Sequence, residues 1–370
     1  MTKRSPDFLV RSHDPLNGGP GPARQVESFI TPNDSFFVRN HGAVPAVAAE
    51  DYRLEVGGMV GRTAAFTLAD LHQGFERVEV TSTLACAGQR RIEMATVAPI
   101  PGELPWGQEA VSTAVWGGWR LADVLAAVAV QDGAAHVAFE GLDQVERRSR
   151  TFRYGASIPL AKALAPEVLL ADTMNGAQLP PEHGYPLRVV VPGYIGARQV
   201  KWLARIQVQA APSDNYFQAV AYRSYPRTMT HVTHDPAQGV ELTELQVNCL
   251  LARPIPGERV GPGPVSVRGA AYTGCAEGIA AVEVSGDGGS TWVSATLAEP
   301  PSLATDWTWR LFECEVEVVT GADGRGEVIA RAHDARGATQ PRDARGIWNF
   351  KGYMNNAWAR VAVERDPASR

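Results

Sequence analysis

Short runs of alternating apolar and polar residues dominate this chain, and helical spacing surfaces in only a few places. From Tyr52, YRLEVGGMV alternates with the two-residue period of a strand. TLADLHQGF instead places Leu68, Leu71 and Phe75 at helical spacing behind Thr67, a hydroxyl suited to capping a helix N-terminus. The strand-like run VEVTSTLA follows and leads directly into Cys86. RLADVLAAVAV predicts a second amphipathic helix, closed by Asp132-Gly133, and AHVAFEGLD predicts a strand that ends in a turn. IPLAKALAPEVLLAD mixes a short helix with a strand, and YPLRVVVPGYIGARQVKWLARIQVQ predicts two strands around a Pro-Gly loop. The first 40 residues, rich in proline, glycine and asparagine, predict an extended arm lying on the surface.

Beyond Pro212 the pattern changes. VSVRGAAY, IAAVEVSGDGGSTWVSATL, WRLFECEVEV and GEVIARAHDA are short alternating runs, and GDGG between two of them is a hairpin signal. The pattern predicts an α+β fold: a mixed α/β domain at 1–215, a connecting segment at 216–244, and a β-sandwich of immunoglobulin type with seven or eight strands at 245–370.

Composition narrows the function. A net charge of -5 argues against a general nucleic-acid binder, and no apolar run approaches the ~18 residues of a membrane span. MTKRSPDFLV has no apolar signal region, so the chain as given reads as cytoplasmic, or periplasmic if a signal has been removed. The cysteines Cys86, Cys249, Cys275 and Cys314 lack the spacing of zinc, iron–sulfur or haem sites and read as four free thiols.

Five stretches carry candidate chemistry. In TSTLACAGQRR, Arg90 and Arg91 place positive charge close to Cys86, which favours thiolate over thiol, and Gly88 allows close approach of a ligand. Such a thiolate serves as a nucleophile, with a base such as His183, or as a ligand of a soft high-valent metal. In SFFVRNHGAVP, Arg39, Asn40 and His41 follow an aromatic pair and need partners or an anionic ligand if buried. PPEHGYPLRVVVPGYIGARQVKWL gathers His183, Arg188, Arg198 and Lys201 around a glycine-containing loop, a composition suited to phosphate but matching neither a Walker loop nor a dinucleotide fingerprint. AYRSYPR places Tyr222 beside Arg223, and GIWNFKGYMNNAWARV sets Lys351 among aromatic residues.

In this order, FFVRNH, CAGQRR, YGASIPLAKAL, MNGAQLPPEHGYPLRVVVPGYIGARQVKWL and WNFKGYMNNAWARV resemble the signature of the sulfite oxidase family of molybdopterin enzymes, over residues 30 to 362. The resemblance implies a molybdopterin-binding domain followed by an immunoglobulin-like dimerisation domain, and a homodimer. It implies that Cys86 is the thiolate ligand of molybdenum in a molybdenum–molybdopterin cofactor. Arg39, Asn40, His41, Asp143, His183, Arg188, Arg198 and Lys201 would hold the pterin and its phosphate. Arg39, Arg91, Trp106 and Tyr222 would form the pocket for sulfite, which is oxidised to sulfate by oxygen-atom transfer. Arginine suits such a pocket because its planar fork grips oxyanions through paired hydrogen bonds.

Two positions depart from the family pattern: Gln89 stands for the usual asparagine, and Lys351 for an arginine of the anion pocket. Lysine keeps the charge and loses the fork, so the pocket is expected to hold its anion differently. No residues remain for an attached haem domain, so the expected electron acceptor is external, such as a cytochrome c. The alternatives are a sulfane dehydrogenase or nitrate reductase relative on the same fold, and a pterin-binding module without activity.

Overall fold

The computed structural model describes residues 2–147 and 149–365. Its first region is built on two sheets. One runs in the spatial order Ala177–Gln178, Leu169–Met174, Val111–Arg120 and Arg77–Ala85, with Arg188–Val190 also pairing to Leu169–Met174. The other runs Ala64–Phe66, Leu54–Gly58, Leu203–Gln209, His136–Arg147 and Arg150–Pro159. Alternation is obeyed where it was read: LARIQVQ buries Leu203, Ile206 and Val208 and exposes Arg205 and Gln207. Val111–Arg120 is central and almost wholly buried, and a Cβ on its Gly118 would lie 2.0 Å from the Leu170 carbonyl oxygen, so only glycine fits there.

Both expected helices form. Leu68–Gly74 starts from a reciprocal cap: the Asp70 amide donates to Thr67 Oγ1 (2.9 Å) and the Thr67 amide to Asp70 Oδ2 (2.8 Å). Leu121–Val128 buries Leu121, Val124, Leu125 and Val128, but it stops before Asp132-Gly133. The Gly61 and Arg62 amides take the Ala129 and Val128 carbonyls (2.6 and 3.2 Å), so a distant segment satisfies the helix end that further turns would have used.

Two other expectations change. AHVAFEGLD does not end in a turn: the strand His136–Arg147 continues through an irregularity between Glu140 and Gln144, where the Leu142 amide donates to the Trp202 carbonyl (2.9 Å). The N-terminal arm is more than a surface strap. Phe8–His13 pairs with Leu16–Pro20, Gly18 and Val38 exchange two backbone hydrogen bonds (3.1 and 2.8 Å), and Phe36, Phe37 and Val38 are buried. Two adjacent phenylalanines had enough apolar surface to pull the arm inward.

The second region consists of two further sheets. One is ordered Asn248–Arg253, Val265–Tyr272, Arg310–Val316, Thr296–Leu297; the other Glu258–Val260, Ala359–Arg365, Arg325–Asp334, Ile279–Ser285, Val293–Ser294. Between them lies a core containing Val267, Val282, Val284, Phe312, Val328 and Val361. Among the described residues that makes nine strands rather than seven or eight, because the run after GDGG breaks into the two-residue edges Val293–Ser294 and Thr296–Leu297. The hairpin itself forms, with Val284 opposite Val293.

The two regions share a core. Phe217, Tyr222 and Leu242 of the connecting segment, and Leu250, Tyr272 and Trp309 beyond it, join the first region's apolar cluster. Arg90 adds a polar brace. At φ 60° it turns its side chain away from Cys86 and into the second region, donating to Asn248 Oδ1 (2.8 Å) and the Ala357 and Trp358 carbonyls (2.8 and 3.0 Å), while pairing with Glu93 (2.7 Å). Its guanidinium is buried, so removing it takes a donor from each of these acceptors, although Gln340 Nε2 still donates to the Ala357 carbonyl (2.9 Å). Arg90→Ala is expected to lower stability by about 3 kcal/mol in urea unfolding; a loss well under ~1 kcal/mol would contradict the brace.

Candidate active site

Two adjoining cavities open where loops from both regions meet. The inner one is lined by Phe36, Cys86, Asp143, His183, Arg188 and Lys201 among others. The outer one is lined by Glu103, Arg147, His231, Lys351 and Tyr353 among others. Arg39, Asn40, His41 and Tyr222 face both and form the wall between them.

The inner cavity is short of internal partners. Arg188 is buried; its Nη1 donates to the His183 carbonyl (2.9 Å), its face lies 4.7 Å from the Trp116 ring, and burial pushes it down to about 9. Among the described residues no carboxylate pairs with it. His183 Nε2 and Asp143 Oδ1 are buried without a hydrogen-bond partner. Burial, with Arg4, Lys201 and Arg188 close by, holds His183 well below the usual imidazole range. Burial also raises the Asp143 carboxyl, although Lys201 opposes it. Lys201 Nζ bonds to Asn40 Oδ1 and the Glu182 carbonyl (2.8 Å), and desolvation, then Arg188, push it well below the usual ammonium range. Buried polar atoms left in this state favour a ligand that supplies what they lack.

The wall is fixed by the N-terminal arm. Asn17 Oδ1 accepts from the Asn40 amide (2.8 Å) and from Arg39 Nη1 (3.2 Å). His41 stacks on Tyr154 at 4.9 Å, and its Nε2 lies 2.9 Å from the Tyr222 hydroxyl. Desolvation and the cations Arg39, Arg147 and Lys201 hold His41 well below the ordinary imidazole range. Burial pushes Tyr222 up to about 12, so the phenol keeps its proton at neutral pH. Gly42 passes tightly under the neighbouring strand; a Cβ there would lie 2.0 Å from the Gln144 carbonyl oxygen.

Cys86 follows directly on the strand Arg77–Ala85 and is buried in a cluster with Phe36, Phe37 and Trp106. Its Sγ faces the Gly88 amide at 3.4 Å, and the Ala87 carbonyl accepts from the Met354 amide (2.7 Å), which ties the cysteine loop to the C-terminal segment. It lines the inner cavity together with Arg39 and Tyr222.

Not every expected residue reaches a cavity. Trp106 is fully buried behind Cys86, with Nε1 unpartnered. Arg198 is fully buried outside the lining, bonded to the Leu242 carbonyl (2.8 Å) and near Glu241 (3.4 Å), with Nε and Nη1 unpartnered. Arg91 does not face an open anion site: Nε donates to the Lys351 carbonyl (2.9 Å), Nη1 to the Leu104 carbonyl (2.8 Å), and Nη2 lies 3.7 Å from Glu103. Lys351 sits at the outer mouth, 3.1 Å from the Glu103 carboxylate. Sequence reasoning missed Asn17, Glu103, Arg147, Tyr154 and Tyr353. Only Tyr353 lay inside a stretch singled out for chemistry.

Among the described residues, no three His, Cys, Asp or Glu side chains converge to hold a metal ion. A metal at Cys86 would therefore have to bring its other ligands with it. A soft thiol in the cavity lining, a buried guanidinium without a carboxylate partner and orphaned polar atoms along the walls fit an anionic organic cofactor that carries a soft metal. This is the site of a molybdopterin-class oxidoreductase. Comparison with known proteins agrees: residues 41–217 match the family model "Oxidoreductase molybdopterin binding domain" and residues 240–366 the "Mo-co oxidoreductase dimerisation domain". The chain is 42% identical over 365 residues to the sulfite oxidase of Gallus gallus, covering 96% of this chain and 78% of the relative. It is 42% identical over 370 residues to the mitochondrial sulfite oxidase of Homo sapiens, covering 98% and 67%. The crystal structure of the sulfane dehydrogenase SoxCD from Paracoccus pantotrophus aligns with a TM-score of 0.78 and 26% identity, over 96% of this chain and 86% of that one. The chain belongs to the sulfite oxidase family of molybdopterin oxidoreductases.

The wall makes its own prediction. Surrounded by cations, His41 is expected to remain neutral at pH 6.5, where an ordinary imidazole is half protonated. Histidine ring nitrogen shifts in isotope-labelled protein measure this directly, and a His41 signal at its midpoint at that pH would contradict the electrostatics described.

Proposed function

We propose that the chain oxidises sulfite to sulfate at a molybdenum–pterin centre anchored by Cys86, and passes the electrons to an external acceptor such as a cytochrome c. In balance, sulfite and water give sulfate, two protons and two electrons. When bound, the cofactor supplies the two-electron redox couple and the oxygen-atom transfer. The observation that carries the reading is the Cys86 thiol lining the inner cavity with Arg39 and Tyr222, two of the four residues that face both cavities.

The residues divide the work by place. Arg188, His183, Asp143 and Lys201 would hold the anionic cofactor in the inner cavity, where His183 Nε2 and Asp143 Oδ1 are unpartnered and Arg188 pairs only with neutral carbonyls. Arg198, one layer out, braces the connecting segment and adds positive charge behind the cavity. Arg39 offers its guanidinium to the oxyanion at the wall. Tyr222 orients it: with the Nε2–H tautomer, His41 donates to the phenolic oxygen and leaves the Tyr222 O–H free to donate to substrate. Trp106 closes the floor behind Cys86 and keeps water from the thiol. Lys351 and Arg91 supply the positive charge of the mouth.

The architecture is read in the same terms. The span 1–215 is the catalytic domain, 216–244 connects it, and 245–370 is the domain through which two copies pair, its described part, 245–365, being an immunoglobulin-like sandwich.

Two measurements test the reading. Cys86→Ser is expected to lower sulfite–ferricyanide turnover at least ~100-fold while circular dichroism stays native; undiminished turnover would remove the thiol from the centre. Arg188→Met is expected to lower the pterin and molybdenum retained per chain by about tenfold or more, because a buried charge-assisted contact is lost. Wild-type cofactor content in that variant would show that the buried guanidinium does not serve the cofactor.

A further inference from the structure

Glu103 brings a negative charge into the part of the mouth where the proposed substrate needs positive charge. Its carboxylate lies 3.1 Å from Lys351 Nζ and 3.7 Å from Arg91 Nη2. All three side chains are largely withdrawn from solvent, with 17%, 15% and 5% exposure for Glu103, Lys351 and Arg91, so water screens their attraction poorly. The turn that delivers the carboxylate also clamps the arginine, because the next residue, Leu104, accepts from Arg91 Nη1 (2.8 Å). With Nε on the Lys351 carbonyl (2.9 Å) and the guanidinium face 5.1 Å from the Tyr353 ring, Nη2 is the edge that Glu103 faces, so only displacement of Glu103 would open it to another anion. Glu103 lines the outer cavity together with Arg39, Tyr222, Tyr353 and His231.

We propose that Glu103 is a specificity-determining residue: its carboxylate occupies the oxyanion's place on Lys351 and Arg91, and a substrate anion binds there by displacing it. The inference rests on the reading of the outer cavity as an oxyanion entrance. A tethered carboxylate competes at high effective concentration, so it holds down the affinity for every small anion. A doubly charged oxyanion gains more from the two cations than a single carboxylate does, and it is the kind of anion able to displace Glu103. The same competition helps the sulfate product to leave, because Glu103 recaptures the cations once the oxyanion loosens.

The test compares wild type with Glu103→Gln, which keeps the shape and removes the charge. Sulfate binding by titration calorimetry is expected to tighten about tenfold in the variant, and the KM for sulfite to fall by a similar factor. Unchanged or weakened sulfate binding would overturn the proposal. A crystal of wild-type protein soaked in sulfate tests it without a substitution: Glu103 should have swung away from Lys351 with sulfate in its place, and an intact Glu103–Lys351 pair would overturn it. If wild type bound sulfate but did not turn over sulfite, the reaction assigned above would fail, while tighter sulfate binding in Glu103→Gln would still uphold the role of Glu103.

Discussion

A guanidinium buried without a carboxylate is expensive, because the protein interior solvates it less well than water does. Arg188 is in that position, and the cavity around it repeats the pattern: an unpartnered His183 ring nitrogen, an unpartnered Asp143 oxygen, and a lysine bonded to neutral acceptors. Folding places these groups together at a cost that only a ligand can offset. The rest of the site follows from that constraint. The aromatic pair Phe36–Phe37 anchors the chain entering the wall, the strand irregularity near Asp143 turns a carboxyl inward, and the strand Arg77–Ala85 delivers a thiol to the cavity's end.

Charge is graded from inside to outside. The inner cavity has cations that lack acidic partners, whereas the outer mouth has Lys351 and Arg91 partnered by Glu103. A resident cofactor can be held by permanent attraction, because it need not leave. A substrate that must be released as product is better served by cations already engaged, since recapture of the pair favours departure. Between the two zones, His41 and Tyr222 are both held in their neutral forms, so they add hydrogen-bonding groups to the wall while its charge comes from Arg39.

Much of this could be read from residue types along the chain. The alternating runs gave their strands, Thr67 its cap, and the cationic stretch His183–Lys201 three polar groups of the inner cavity (His183, Arg188 and Lys201), because those signals are local. What escaped reading depended on distant pairing. Glu103 lies in a Pro-Gly turn and looks like surface until Lys351, 248 positions away, is brought against it. Asn17 sits in an arm with no periodicity, yet it holds Arg39 and Asn40. Adjacency also misled: Arg90 is four residues from Cys86, but its left-handed backbone turns it into the second region, where it serves stability. The helix after Arg120 ended early because amides from Gly61 and Arg62 capture its last carbonyls.

The central claim is that one protein sulfur, Cys86, joins the metal of a cofactor held by the inner cavity. X-ray absorption at the molybdenum edge of the holoprotein tests it most directly. The account predicts one more sulfur ligand in wild type than in Cys86→Ser protein loaded with the same cofactor. Identical sulfur coordination in the two proteins would contradict it.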